Sequence, residues 1–259
     1  MPKADDAPTS TCAICHETAM ASDVLVLPCT HSFCRGCIDT LFCQHAEEGD
    51  YSSKCPICRA PLFGAASASF GQASKHLADG AYDAAVEGFT AARDAAEPFA
   101  TGPAGLNRLA TASQYNIGRA REAAGSLLSG DLAAAQFEDA ALAYHAAFDM
   151  SQRTDWMAAS NEGSMLSRLG RHAPALACWE SAVALNPADT LTLLNLGCAY
   201  LESGDLAAAQ LKVEQSIEQD AHDARAHNLR GDVLHRRGQA EQARAAYAHA
   251  LELEEAGRG

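Results

Sequence analysis

Seven cysteines and one histidine fall between residues 12 and 58 as Cys12-x2-Cys15, Cys29-x-His31, Cys34-x2-Cys37 and Cys55-x2-Cys58. Two intervening residues let a tight turn bring both sulfurs to about 2.3 Å of one metal ion. Four such pairs make two tetrahedral sites with no open position, and a closed zinc site is structural rather than catalytic. Fewer than about 70 residues rarely bury enough apolar surface to fold unaided. Two structural zinc ions, each worth on the order of 10–16 kcal/mol, would therefore supply most of this segment's folding energy. Bound thiolates are deprotonated, so the loaded chain would be more negative than its formal −14. A disulfide knot is the competing reading. It is disfavoured because a histidine interleaves the cysteines and no signal peptide precedes them.

The ligand order Cys-Cys-Cys-His-Cys-Cys-Cys-Cys, with these gaps, resembles the RING finger family at all eight positions. The resemblance implies a small α+β fold in which the pairs interleave. Cys12, Cys15, Cys34 and Cys37 would hold one zinc, and Cys29, His31, Cys55 and Cys58 the other. It also implies RING-type ubiquitin-protein ligase activity, with a ubiquitin-conjugating enzyme and ubiquitin as partners. Ile14, Pro56 and Ile57 match the family's two docking loops, and Leu41 stands where the family often has tryptophan. Arg59 matches the basic residue that holds the ubiquitin thioester ready for attack, a role suited to a planar fork bridging two acceptors. Such a ligase forms no covalent intermediate and works by proximity. The plainer readings are that Ile14 and Ile57 fill a tiny core and that Arg59 is merely solvated. For the whole chain, the alternative is a non-catalytic zinc-binding scaffold.

Around these ligands, residues 1–11 read as a disordered tail, 12–59 as the zinc finger and 60–67 as a hinge. The apolar run Val24 to Pro28 predicts a strand delivering Cys29, and Ile38 to Phe42 begins a short helix. Gln44 to Lys54 is polar and reads as a loop. Cys43 and His45 form a spare Cys-x-His pair without downstream partners, and His16 reads as a surface residue. Cys178 and Cys198 read as small buried hydrophobes.

Beyond residue 67 the chain is alanine-rich and periodic. Gly163, Gly197 and Gly231 recur at an interval of 34, as do Gly170, Gly204 and Gly238, and Ala175, Ala209 and Ala243. This period resembles the tetratricopeptide repeat (TPR) family. The resemblance implies an all-α superhelical solenoid over residues 68–253, with secure units near 156–187, 190–221 and 224–253. Earlier, irregular units are expected near 66–99 and 107–151, the latter with about ten residues inserted near Gly125–Leu132. Small residues at positions 8 and 20 of the unit would let its two helices approach. Trp179, Val213 and Tyr247, at position 24, would plug the gap. Gly170, Gly204 and Gly238 would end each first helix in a left-handed conformation, and Pro187 would stop a second helix. Residues 254–259 read as a tail.

The inner face of such an array would carry Asn116, Asn161, Asn195 and Asn228, with Arg168, Arg225, His235 and Arg236. In the family, asparagine there holds the backbone of an extended peptide, so a protein client or peptide is the implied partner. Position 5 offers Ser160, Leu194 and Asn228 rather than the lysine of a chaperone-tail clamp. An acidic chain without basic stripes is no nucleic-acid binder, and no apolar run spans a membrane. Nucleotide chemistry is also disfavoured, since the 34-residue period accounts for the glycines. Reduced, metal-loaded cysteines imply a reducing, intracellular compartment, and the lack of a nuclear basic cluster favours cytoplasm over nucleus.

Overall fold

A computed structural model describes residues 9–12, 14–15, 17–20, 24–26, 32–34, 37, 64–96 and 105–256. It divides into two compact units, Met1–Leu128 with Asp149–Ser151, and Ser129–Phe148 with Gln152–Gly259.

In the first unit, β1 (Thr9–Thr11) pairs antiparallel with β2 (Thr18–Met20), Ser10 opposite Ala19. The turn between them contains Cys12 and Cys15. The apolar run at Val24 forms β3 (Val24–Val26), antiparallel to β4 (Ser32–Cys34), with Leu25 opposite the fully buried Phe33. Two short ribbons of this size are not stable alone. The helix expected after Cys37 and the loop Gln44–Lys54 lie outside the described residues.

Helix α1 (Gly64–Ala78) and α2 (Tyr82–Ala96) form the unit's first hairpin. α1 starts inside the stretch expected to be a hinge, because Gly-Ala-Ala-Ser-Ala is rich in the best helix former. A Cβ at Gly88 would lie 2.8 Å from the Ala73 side chain, so small residues set the approach of the two helices. Phe70 meets Phe89 edge-on at 5.2 Å. α3 (Gly105–Ser126) follows and packs on α2, with Arg93 Nη1 donating to Gln114 Oε1 at 2.9 Å.

The expected insertion near Gly125–Leu132 is not a long loop. α3 has 22 residues and α4 (Gly130–Met150) has 21, joined only through Leu127 to Ser129, so the extra chain lengthens both helices. Alanine-rich sequence extends a helix already nucleated at little cost.

The second unit continues with three hairpins. They are α5 (Trp156–Arg168) with α6 (His172–Leu185), α7 (Thr190–Ser203) with α8 (Leu206–Gln219), and α9 (Ala224–Arg236) with α10 (Ala240–Ala256). α10 runs three residues past Leu253, where a tail was expected. Position 8 behaves as its spacing predicts. A Cβ at Gly163 would come within 2.8 Å of Trp179 Nε1, one at Gly197 within 3.1 Å of Val213, and one at Gly231 would overlap the Tyr247 ring. Gly170, Gly204 and Gly238 have φ of +73°, +85° and +76°. After α5 the Arg171 amide bonds the Leu166 carbonyl (2.8 Å) and the Gly170 amide bonds Ser167 (2.9 Å). Gln239 to Leu234 and Gly238 to His235, both 2.9 Å, repeat that pattern after α9. These crossed bonds satisfy the orphan carbonyls that every helix end leaves.

The starts are just as regular. Asp155, Asp189 and Asp223, also 34 apart, cap α5, α7 and α9 by accepting amides of the first turn. Asp223 accepts the Arg225 amide at 2.9 Å, and Arg225 grips its carboxylate with Nε and Nη2 at 3.0 and 2.8 Å. The Arg225 side-chain bonds outweigh desolvation and hold the Asp223 carboxyl below its ordinary value. A carboxyl lowered in the folded state contributes stability above its unfolded value and loses it as pH falls through the folded one. Asp223→Ala is therefore expected to cost about 1 kcal/mol at neutral pH. The deficit should shrink below about pH 4. Urea melts of both proteins across that range would test it; a constant deficit would sink the assignment.

A buried polar chain ties the first two hairpins together. Trp179 Nε1 donates to the Ser160 carbonyl (3.1 Å), and the Ser160 hydroxyl meets Thr192 Oγ1 at 2.7 Å. Thr192 in turn bonds the cap Asp189 through amide and hydroxyl.

Candidate metal centre and peptide groove

The Sγ atoms of Cys12, Cys15 and Cys37 lie within 4.8 Å of one another. A tetrahedron with about 2.3 Å bonds needs sulfurs ~3.8 Å apart, so the three sit at a spacing that one zinc ion closes. Local structure explains the convergence. Cys12 follows β1, and its amide donates to the Glu17 carbonyl at 2.9 Å, which tightens the turn carrying Cys15. The Ile14 amide donates to Cys12 Sγ at 3.4 Å, a bond that favours the thiolate and orients it. Cys12 is buried, Cys37 half-buried and Cys15 exposed. Soft, thiolate-only donors of this kind suit zinc, as they also suit copper(I) and iron–sulfur clusters. Cys34 ends β4, so three of the four ligands expected for the first site come together and the fourth lies on a paired strand.

Ile14 is 40% exposed on that turn, where a core residue would be covered. Of the other expected site residues, Cys29, His31, Cys55 and Cys58 lie outside the described residues. So do Leu41, Pro56, Ile57 and Arg59, as well as His16, Cys43 and His45.

Asn161, Asn195 and Asn228 lie on the first helices α5, α7 and α9 of the second unit, each half-buried. Asn195 Nδ2 reaches Ser164 Oγ on α5 at 3.5 Å, and Asn228 has no hydrogen bond among the described residues. Asn116 belongs to the first unit. Its amide nitrogen turns back to the Ala112 carbonyl (2.9 Å), and its oxygen accepts from Arg119 Nη1 (3.2 Å). Arg168 lies over the Phe137 ring at 5.1 Å and Arg225 is occupied by Asp223. The side chains of His235 and Arg236 make no hydrogen bond or ion pair among the described residues.

Cys198 is exposed on α7, not buried as expected. Position 9 faces away from the partner helix that covers position 8. Cys178 is half-buried, and burial, then the charge and hydrogen bond of Glu162, push its thiol up to about 12. Partial desolvation by its neighbours, then the Glu202 and Asp232 carboxylates, raise the Cys198 thiol as well, although it stays exposed. An upward shift leaves less thiolate, which suits neither a ligand nor a nucleophile. The functional features that the spacing rules missed are the Asp155, Asp189 and Asp223 caps and the Ser160–Thr192 link. The caps announce themselves by the same interval of 34, one residue before each first helix.

Comparison with known proteins agrees with this geometry. The Ring finger domain family matches residues 10–59, and the tetratricopeptide repeat-like domain family matches residues 172–258. The chain thus carries a RING-type zinc finger followed by a TPR-like helical domain. No curated protein matches it by sequence. Among solved structures it is similar to MamA 41-end from Desulfovibrio magneticus RS-1, at 18% identity and a TM-score of 0.61, over 74% of this chain and 97% of that one. A tetratricopeptide repeat protein from Parabacteroides merdae aligns at 18% identity and 0.60, over 73% and 66%. YrrB, described as a TPR protein with an unusual peptide-binding site, aligns at 17% and 0.53, over 82% and 91%. Likeness at this level concerns the fold. No helix among the described residues is long and apolar enough to cross a membrane.

Proposed function

We propose that this protein is a RING-type ubiquitin-protein ligase whose helical repeats hold the client. The observation that carries the reading is the ring-finger match over 10–59, a span that contains all eight ligand positions and the following Arg59. Two zinc ions would fix the loops bearing Ile14 and Ile57, which with Leu41 and Pro56 dock the conjugating enzyme. The exposure of Ile14 supports that role. Arg59 would restrain the thioester, the catalysis being positional rather than covalent. The repeats would take an extended peptide along α5, α7 and α9 through Asn161, Asn195 and Asn228. The peptide site of YrrB is an analogy for this groove. A reducing, intracellular compartment follows from the same thiolates.

The test is single-turnover discharge of a ubiquitin-charged conjugating enzyme onto free lysine, with zinc-loaded protein. Stimulation is expected, and Arg59→Ala should cut it at least tenfold, the scale of one lost transition-state contact. Equal rates in the two proteins would remove Arg59 from the mechanism. Absence of stimulation across a broad enzyme panel would favour the second reading, a zinc-stabilised scaffold. Leucine rather than tryptophan at position 41 supports that alternative.

A further inference from the structure

We propose that the exposed face of α10 is a self-association surface on which a second copy of this chain lays its own α10 antiparallel. The inference stands independently of the ligase reading.

Within the second unit, the outer faces of α6 and α8 each carry the first helix of the next hairpin. On α6, Glu180 at position 25 accepts the Tyr200 hydroxyl of α7 at 2.6 Å. On α8, Glu214 at the same position lies 3.1 Å from Arg230 Nε of α9. Gln210 at position 21 bonds Arg237, and Ile217 at position 28 packs on the cluster of Ala226, Leu229 and Val233. The matching residues of α10 are Arg244, Ala248 and Leu251. All three are exposed, Leu251 at 56%, and Arg244 has no hydrogen bond or ion pair among the described residues. This face matches the one that α6 and α8 use, and no helix covers it among the described residues.

Its sequence identifies the occupant. Ala243, Ala246 and Ala250 are buried, and helical periodicity places Glu241, Arg244, Ala245, Ala248, Leu251, Glu252 and Glu255 on the opposite side. An antiparallel pairing about a two-fold axis at Ala248 is isologous, so each contact occurs twice. Arg244 then faces Glu252 of the second copy, and Leu251 faces Ala245. Ala248 meets its own equivalent, and alanines there allow axes about 8 Å apart. Glu241 opposite Glu255 is the one unfavourable pair. It lies at the rim, where solvent screens it. Glu252 also lies 3.5 Å from His249 of its own helix, an ion pair only when the imidazole is protonated. A single helix pair falls below a standard interface, so dissociation in the micromolar to millimolar range, about 10 µM to 1 mM, is expected.

Sedimentation equilibrium of the zinc-loaded full chain, from about 1 µM to about 1 mM, tests this. Wild type is expected to dimerise reversibly. Arg244→Glu and Glu252→Arg should each weaken the dimer at least about tenfold, while the double swap restores it, since the exchanged charges again face each other. Thermal melts would confirm that these exposed substitutions leave the fold unchanged. A monomer throughout would overturn the proposal. So would a dimer indifferent to the single swaps, or one that the double swap fails to restore.

Discussion

Gly163→Val is expected to cost this protein about 3 kcal/mol or more and to open the α5–α6 hairpin. A Cβ at that position meets Trp179 Nε1 and Cδ1 at 2.8 and 2.9 Å and the Ala175 carbonyl at 3.1 Å. Trp179 is 5% exposed and its indole N–H is committed to the Ser160 carbonyl, so the ring has no vacant direction to move. Replacing glycine inside a helix would normally gain up to about 1 kcal/mol of propensity. Overpacking costs about 1–3 kcal/mol, and a broken buried hydrogen bond adds about 1–3 more, so the clash wins. Two controls separate the causes. Gly197→Ala presses only on the Leu229 and Val213 methyl ends, at 3.0 and 3.1 Å, with the Ala209 carbonyl at an ordinary 3.8 Å, and should be milder. Gly170→Ala meets nothing within 4 Å but sits at φ +73°, so its cost should be the conformational one, about 1–2 kcal/mol. Urea denaturation with hydrogen exchange on the α5 and α6 amides gives the answer. Wild-type stability in Gly163→Val would mean that the glycine is not the seat of the tryptophan.

Metal removal is the second large effect. A strong chelator, or Cys37→Ser, is expected to unfold the zinc finger while the helices from Gly64 onward keep their circular dichroism. Two short ribbons cannot replace on the order of 10 kcal/mol of metal binding. Two zinc ions should be released per chain and seven further thiols become titratable. Cys43, Cys178 and Cys198 stand outside the ligand set. Release of a single ion would refute the two-site assignment. Collapse of the helical signal together with the finger would refute the independence of the repeats.

What the sequence disclosed depended on how local the cause was. Gly163 and Trp179, or Gly231 and Tyr247, are legible because a helix pair forces one small residue against one large one at fixed offsets. The left-handed Gly170, Gly204 and Gly238 are legible because only glycine takes that conformation freely. Cys12, Cys15 and Cys37 are legible because thiolates at chelating intervals have few other uses. The long α3 and α4 were not, since extra residues in an alanine-rich stretch lengthen a helix without leaving a mark of their own. Nor was the exposure of Cys198, which depends on whether the next hairpin covers position 9 rather than on the cysteine. Groove asparagines form an intermediate case. Spacing placed Asn161, Asn195 and Asn228 on successive first helices, but only the geometry separates Asn228, free to bond, from Asn116, spent on its own helix.

The aspartate before each first helix and the glycine after it have one more consequence. Start and stop are written inside every 34-residue period, so each hairpin learns its boundaries from chain a few residues away. Such an array ripens by short-range contacts and should fold fast for its length. Its units behave as beads coupled mainly to their neighbours. A whole period can therefore be duplicated or lost without redesigning a shared interior, and the reach of the groove becomes a matter of counting.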